Sequence, residues 1–157
     1  MNEEKLQFLK KEFIPLLQKI DGSAKGEWGL MNGQQMVEHF CDAVKCASGK
    51  LVLPVLNEGE ALVKSRVFLF SEKPFKENIK NPLLPEAPPV VRNANMDAAI
   101  EKLRKEFNYF FTVFENNPSL ITDNPLFGGL DYTGNVQLMY KHAVHHLRQF
   151  GIETTLK

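Results

Sequence analysis

A chain of 157 residues with 43% apolar residues and twelve phenylalanines is long enough to bury one real core, and it reads as a single domain over 1–157. Nineteen basic and nineteen acidic side chains cancel, and no Lys/Arg cluster is interleaved with aromatics, so the charge footprint of a nucleic-acid binder is missing. The charged start Met1-Asn-Glu-Glu-Lys-Leu6 and the short apolar runs (Leu51 to Leu56, Val67 to Phe70) fall far below a signal-peptide core or a membrane span, so a cytoplasmic protein with no membrane partner is expected.

The first predicted element is an amphipathic helix over 3–20, with Leu6, Leu9, Phe13, Leu16, Leu17 and Ile20 at spacings of three and four and a kink at Pro15. Residues 21–31 hold three glycines and no period; they read as a loop with Trp28 anchored in the core. Asn32 opens a second helix, with Gln35 completing a capping box, and Gly49 stops it after Ser48. Its buried stripe is Met36, Val37, Phe40, Val44 and Ala47, and His39 sits about 60° outside Met36. Cys41 and Cys46 lie about 140° apart around that helix, which forbids a bridge between them and makes both reduced thiols.

Glu58 to Phe70 reads as a short extra helix, although Arg66 to Phe70 has strand propensity. Five prolines at 74, 82, 85, 88 and 89 make 71–95 a long Pro-rich loop. Asp97 to Asn117 is a helix with Ile100, Leu103, Phe107, Phe110, Phe111 and Phe114 on one side, ended by Pro118. A loop containing Asn124-Pro-Leu-Phe-Gly-Gly129 follows, and no segment reads convincingly as a strand.

The last helix, 133–150, is bounded by Thr133 as N-cap and Gly151 at its C-terminal end. Val136, Met139, Tyr140, Ala143, Leu147 and Phe150 form its apolar arc, roughly 100° wide. His142 and His146 fall side by side about 20° to 60° beyond one edge of that arc, while His145 points about 60° further out, toward solvent. Asn135 and Gln149 share the seam of the pair and are placed to orient imidazoles from behind.

Two imidazoles one turn apart at a core edge are the spacing by which a helix offers two nitrogens to one metal ion. The bland reading is a hydrogen-bonded core-edge pair. His39 shifts the balance, because its offset from Met36 equals that of His142 from Met139, and two helices packed by their stripes would bring all three to one edge. Three histidines leave a coordination position open for water or substrate, whereas structural sites are usually closed by four ligands. Asp42, one turn from His39, is a candidate acceptor behind it or a solvated charge; Cys46 is a small buried residue that could line a cleft. Neither a nucleophile elbow nor a phosphate-cradling loop is present.

The sequence Gln34-Gln-Met-Val-Glu-His39 after a Trp-containing loop, Lys73-Pro-Phe-Lys-Glu-Asn-Ile-Lys-Asn-Pro82, Asn124-Pro-Leu-Phe-Gly128 and Tyr140-Lys-His-Ala-Val-His-His-Leu-Arg-Gln-Phe150 together resemble the DinB/YfiT-like superfamily, in its branch of unassigned function. Asn124 stands where that branch would carry histidine before proline. The resemblance implies an all-α four-helix bundle, often dimeric, with a divalent ion such as nickel or zinc on His39, His142 and His146. It also implies a small-molecule substrate, a low-molecular-weight thiol among the options, for metal-dependent transfer or hydrolysis. The competing expectation is a non-catalytic binding or stress-response module with a vestigial or structural site. A water-filled cleft to the metal position favours the first, and a site sealed by aromatics the second.

Overall fold

The computed structural model describes residues 1–154 and is mainly helical, with one small two-stranded sheet. Helix α1 runs in three consecutive segments, α-helical over Glu3–Gln7, π-helical over Phe8–Glu12 and α-helical again over Phe13–Leu17. The π segment ends three residues before Pro15, which has no N–H to donate and whose ring crowds the carbonyl of Lys11 inside that segment; the helix meets the proline with a widened register. The helix stops at Leu17 rather than Ile20, and Ile20 reaches the core from the following turn.

Helix α2, Gly33–Ala47, starts with the anticipated capping box: Asn32 accepts from the Gln35 N–H, and the Gln35 side chain accepts from the Asn32 N–H at 2.9 Å. Gly33 is needed there, because a Cβ would lie 2.4 Å from the Asp21 carbonyl oxygen. Helix α3 spans Gly59–Leu69, so the segment with strand propensity is helical, and α4 spans Met96–Asn116 with its phenylalanine stripe buried. Strands β1 (Thr122–Asn124) and β2 (Gly128–Leu130) pair antiparallel, Thr122 opposite Leu130. This hairpin corrects the expectation of an irregular loop. Asn124 makes the turn, its side-chain oxygen accepting from the Leu126 and Phe127 N–H groups.

Helix α5, Tyr132–Gln149, begins one cap earlier than expected: Asp131, not Thr133, is the N-cap, accepting from Gly134 N–H at 2.8 Å. α2 packs most extensively along α4, and α5 touches α1, α2 and α3. One apolar core joins them, with Phe13, Phe40, Leu103, Phe110, Ala143 and Leu147 completely buried. Burying a side chain of that size contributes about 1.5–3 kcal/mol, so these stripes dominate the stability of the fold. Among the described residues no helix is long and apolar enough to cross a membrane.

Candidate metal centre

The stripes of α2 and α5 set the site. Met36 and Phe40 on α2 and Met139 and Ala143 on α5 pin the helices by their apolar faces, which leaves His39 and His142 meeting at the shared edge. His39 Nε2 lies 3.1 Å from His142 Nε2, and His142 Nε2 lies 2.8 Å from His146 Nε2. One nitrogen from each of the three falls within 4.8 Å of the others. Ligand nitrogens at about 2.0–2.1 Å from an ion, separated by tetrahedral to octahedral angles, sit roughly 2.8–3.4 Å apart, the range in which both of these contacts fall.

The protons reinforce this. The Gln149 amide donates through Nε2 to the Trp28 carbonyl at 2.9 Å, which turns its oxygen toward His146 Nδ1 at 2.8 Å. A carbonyl oxygen only accepts, so His146 carries its hydrogen on Nδ1 and leaves Nε2 bare. His142 Nε2 then faces two nitrogens with at most one hydrogen of its own. No arrangement of protons on three neutral rings makes both contacts full hydrogen bonds, whereas one cation between them serves every lone pair.

Burial keeps the rings neutral. It pushes His39 down to about 4, against the pull of the Asp42 carboxylate. His142 and His146 lie well below the ordinary histidine value, through burial first and then neighbouring imidazoles. Neutral imidazole is the ligating form. His146 is buried, while His39 and His142 keep partial solvent access.

Of the two residues expected to orient imidazoles, Gln149 does so and Asn135 does not. Asn135 lies two turns before His142, and its amide nitrogen donates to Thr122 Oγ1, the Leu130 carbonyl and the Asp131 carbonyl, fastening the hairpin to α5. The seam it shares with the histidines faces the hairpin at that end of the helix rather than α2. His145 is also not a surface residue: its ring is half-buried between Trp28, 5.8 Å away, and Phe75, 5.9 Å away. Trp28 is correspondingly outside the apolar core, at the rim of the site, with the Arg148 guanidinium 5.9 Å from its ring. The glycines of its loop make room for Gln149, since a Cβ on Gly26 would come within 2.9 Å of Gln149 Cγ, and one on Gly29 (φ +76°) within 2.8 Å of Gln149 Nε2.

Sequence reasoning missed the strap. Residues 71–95 cross the histidine cluster and are tied to both helices that carry it by the sequence neighbours of two of its histidines. Lys141 Nζ, beside His142, donates to the Ser71 and Lys73 carbonyls at 2.5 and 2.6 Å. Glu38, beside His39, is 4% exposed and accepts from the Arg92 and Asn93 N–H groups and the Asn93 side chain. Burial alone would raise the Glu38 carboxyl, but those donors hold it below its usual range. Asp42 is bound by Arg92 at 2.9 Å, so it stands behind the strap rather than behind His39. No local signal marked the two residues, because Glu38 and Lys141 each fall about 150° from the centre of their helix's apolar stripe, where a charged residue is ordinary. Between the ties Phe75 covers His142 from 6.4 Å, and Phe40 lies 4.9 Å from the same ring. Two surface hollows, one beside Lys10 and Phe111 and one between Ile20 and Met96, lie away from the histidines.

No family model matches the chain, and neither a curated protein nor a solved structure matches it.

Proposed function

We infer that the protein is a DinB-like four-helix bundle that binds a divalent transition metal, nickel or zinc by donor chemistry, through Nε2 of His39, His142 and His146. The observation that carries this reading is the convergence of three neutral, desolvated imidazole nitrogens at contacts of 2.8 and 3.1 Å that protons alone do not satisfy. When bound, such an ion supplies a Lewis acid able to lower the pKa of water or of a small-molecule thiol, the chemistry of metal-dependent transfer or hydrolysis. The chain's own contribution is orientation and shielding: Gln149 holds the His146 tautomer, and Phe40 and Phe75 wall the position from bulk water. That aromatic wall also favours the second reading, a binding module whose site is structural. The exposed stripe of Val63 and Val67 on α3 and Phe70 at its C-cap supports homodimer formation.

Elemental analysis of protein purified without a nickel column tests the reading. It expects close to one equivalent of a divalent transition metal in wild type and little in His39→Ala. Equal content in the two would refute the ligand set.

A further inference from the structure

Helix α3 differs from the other helices in what it buries. Of its 11 residues only Leu69 is fully buried, whereas α2, α4 and α5 each bury a whole apolar stripe. It is held instead by single side chains on main-chain carbonyls. Arg66 donates to the Phe127 and Gly129 carbonyls at 3.1 and 2.8 Å, Gln137 to that of Leu69 at 2.8 Å, and Lys141 to those of Ser71 and Lys73 just beyond the helix. Bonds of this kind exchange for bonds to water at small net cost, and an element with little buried apolar surface opens well before the fold as a whole.

The two ends of this segment are fixed more firmly than its body. Before α3 the Leu56 N–H donates to the Pro125 carbonyl at 2.7 Å, and Gly59 follows with φ +52° and open space where a Cβ would stand, a free pivot at the first residue of the helix. At the far end the buried Glu38 carboxylate clamps the Arg92 and Asn93 N–H groups at 2.8 and 2.9 Å. Between them Phe75 packs on Phe68, 5.4 Å away, and covers His142 and His145, and the His145 ring hydrogen-bonds to the Phe75 backbone. Among the described residues, 78–88 hydrogen-bond only within their own turn at Asn81, which leaves slack chain between Phe75 and the clamp.

We propose that α3 and the strap as far as Phe75 form a flap that swings off α5 as one body, pivoting at Gly59 with 78–88 as its slack, and uncovers the faces of His142 and His145 while α1, α2, α4 and α5 stay folded. Lys141 is the latch, since its one amine holds both carbonyls at the start of the strap. The flap needs no ion, so it stands or falls apart from the metal reading.

The test is amide hydrogen exchange of the metal-free full chain, read by mass spectrometry in wild type and Lys141→Met, a substitution that keeps the bulk of the side chain and removes the latch. In wild type the helical amides of α3 should be protected, yet exchange about 100-fold or more faster than those of α2 and α5. Lys141→Met should speed α3 and residues 71–77 by about tenfold or more, the worth of a hydrogen bond to a charged group, and leave α2 and α4 at their wild-type rates. Carbethoxylation of His142 and His145 by diethyl pyrocarbonate, resolved residue by residue, should accelerate in the same variant. Exchange in α3 as slow as in α2 and α5, exchange there with no protection at all, or a Lys141→Met effect spread evenly over all helices would overturn the proposal. Labelling of the two histidines unmoved by the substitution would overturn it as well, since α3 would then open without uncovering them.

Discussion

Replacing Gln149 by leucine isolates the residue that fixes the His146 tautomer. The side chain is 3% exposed and bonds at both ends of its amide, to His146 Nδ1 at 2.8 Å and to the Trp28 carbonyl at 2.9 Å. Leucine fills nearly the same volume, so little of the change is a cavity. What remains is one buried N–H and one carbonyl without partners, at about 1–3 kcal/mol each where burial is complete. A total near 2–4 kcal/mol is expected for the metal-free protein, which for a chain of this length lowers Tm by about 4–16 °C. Metal affinity should also fall about 10- to 100-fold, the usual worth of the group that orients a ligating histidine. Gln149→Glu separates the two effects. It keeps an acceptor for His146 and loses the donor to Trp28, so stability drops while metal affinity holds. Denaturant unfolding of metal-free protein and competition for zinc against a chelator of known affinity read the two quantities. If leucine leaves zinc affinity at the wild-type value, or glutamate loses as much as leucine, the tautomer argument is wrong.

His145→Ala should keep metal content near wild type, because its ring lies outside the cluster, whereas His142→Ala or His146→Ala should lose most of it; metal analysis of the purified variants decides. Asn135→Ala should destabilise the fold by about 1–3 kcal/mol in denaturant unfolding, by orphaning Thr122 and the end of the hairpin, with zinc affinity unmoved. Stability of the metal-free protein should depend on pH in one direction. The three histidines bind protons more weakly in the fold than in the unfolded chain, so above about pH 6.5 neither state is protonated and stability is full. As pH falls from there toward 4, the unfolded chain takes up protons that the fold does not, and stability should drop by up to about 1.4 kcal/mol per pH unit for each histidine. Urea titrations between pH 7.5 and 4.5 measure the slope; a flat profile would mean that the rings are not buried neutral.

Much of the site was legible because helical periodicity is a strong constraint. Matched offsets of His39 and His142 from their apolar stripes required only that α2 and α5 pack by those stripes, which they do. The capping box at Asn32 was equally local, since both of its bonds lie within four residues. Asn135 shows where angular reasoning ends: a seam on a helix names a direction, but what lies in that direction two turns away depends on a neighbouring element, here the hairpin. The hairpin itself has three residues per strand, with glycines at 128 and 129, too short and too poor in apolar side chains for an alternating pattern. Asp131 and Thr133 are both good N-caps, and tertiary context rather than propensity chose the first. His145 faces outward from the helix as its angle requires, but the strap and the Trp28 loop are there to meet it, and neither position follows from local sequence.

The central claim, that His39, His142 and His146 jointly hold a divalent ion, is tested most directly by melting metal-loaded against chelator-stripped protein at pH 7.5, in wild type and His39→Ala. The three histidines come from helices distant in sequence, so an ion held by all of them would bind the fold and scarcely the unfolded chain. Metal at about 1,000 times its dissociation constant should stabilise wild type by about 4 kcal/mol, roughly 8–16 °C in Tm. His39→Ala should show little of that shift. A wild-type melting curve unmoved by proven removal of the ion, or an equal shift in the variant, would contradict the account.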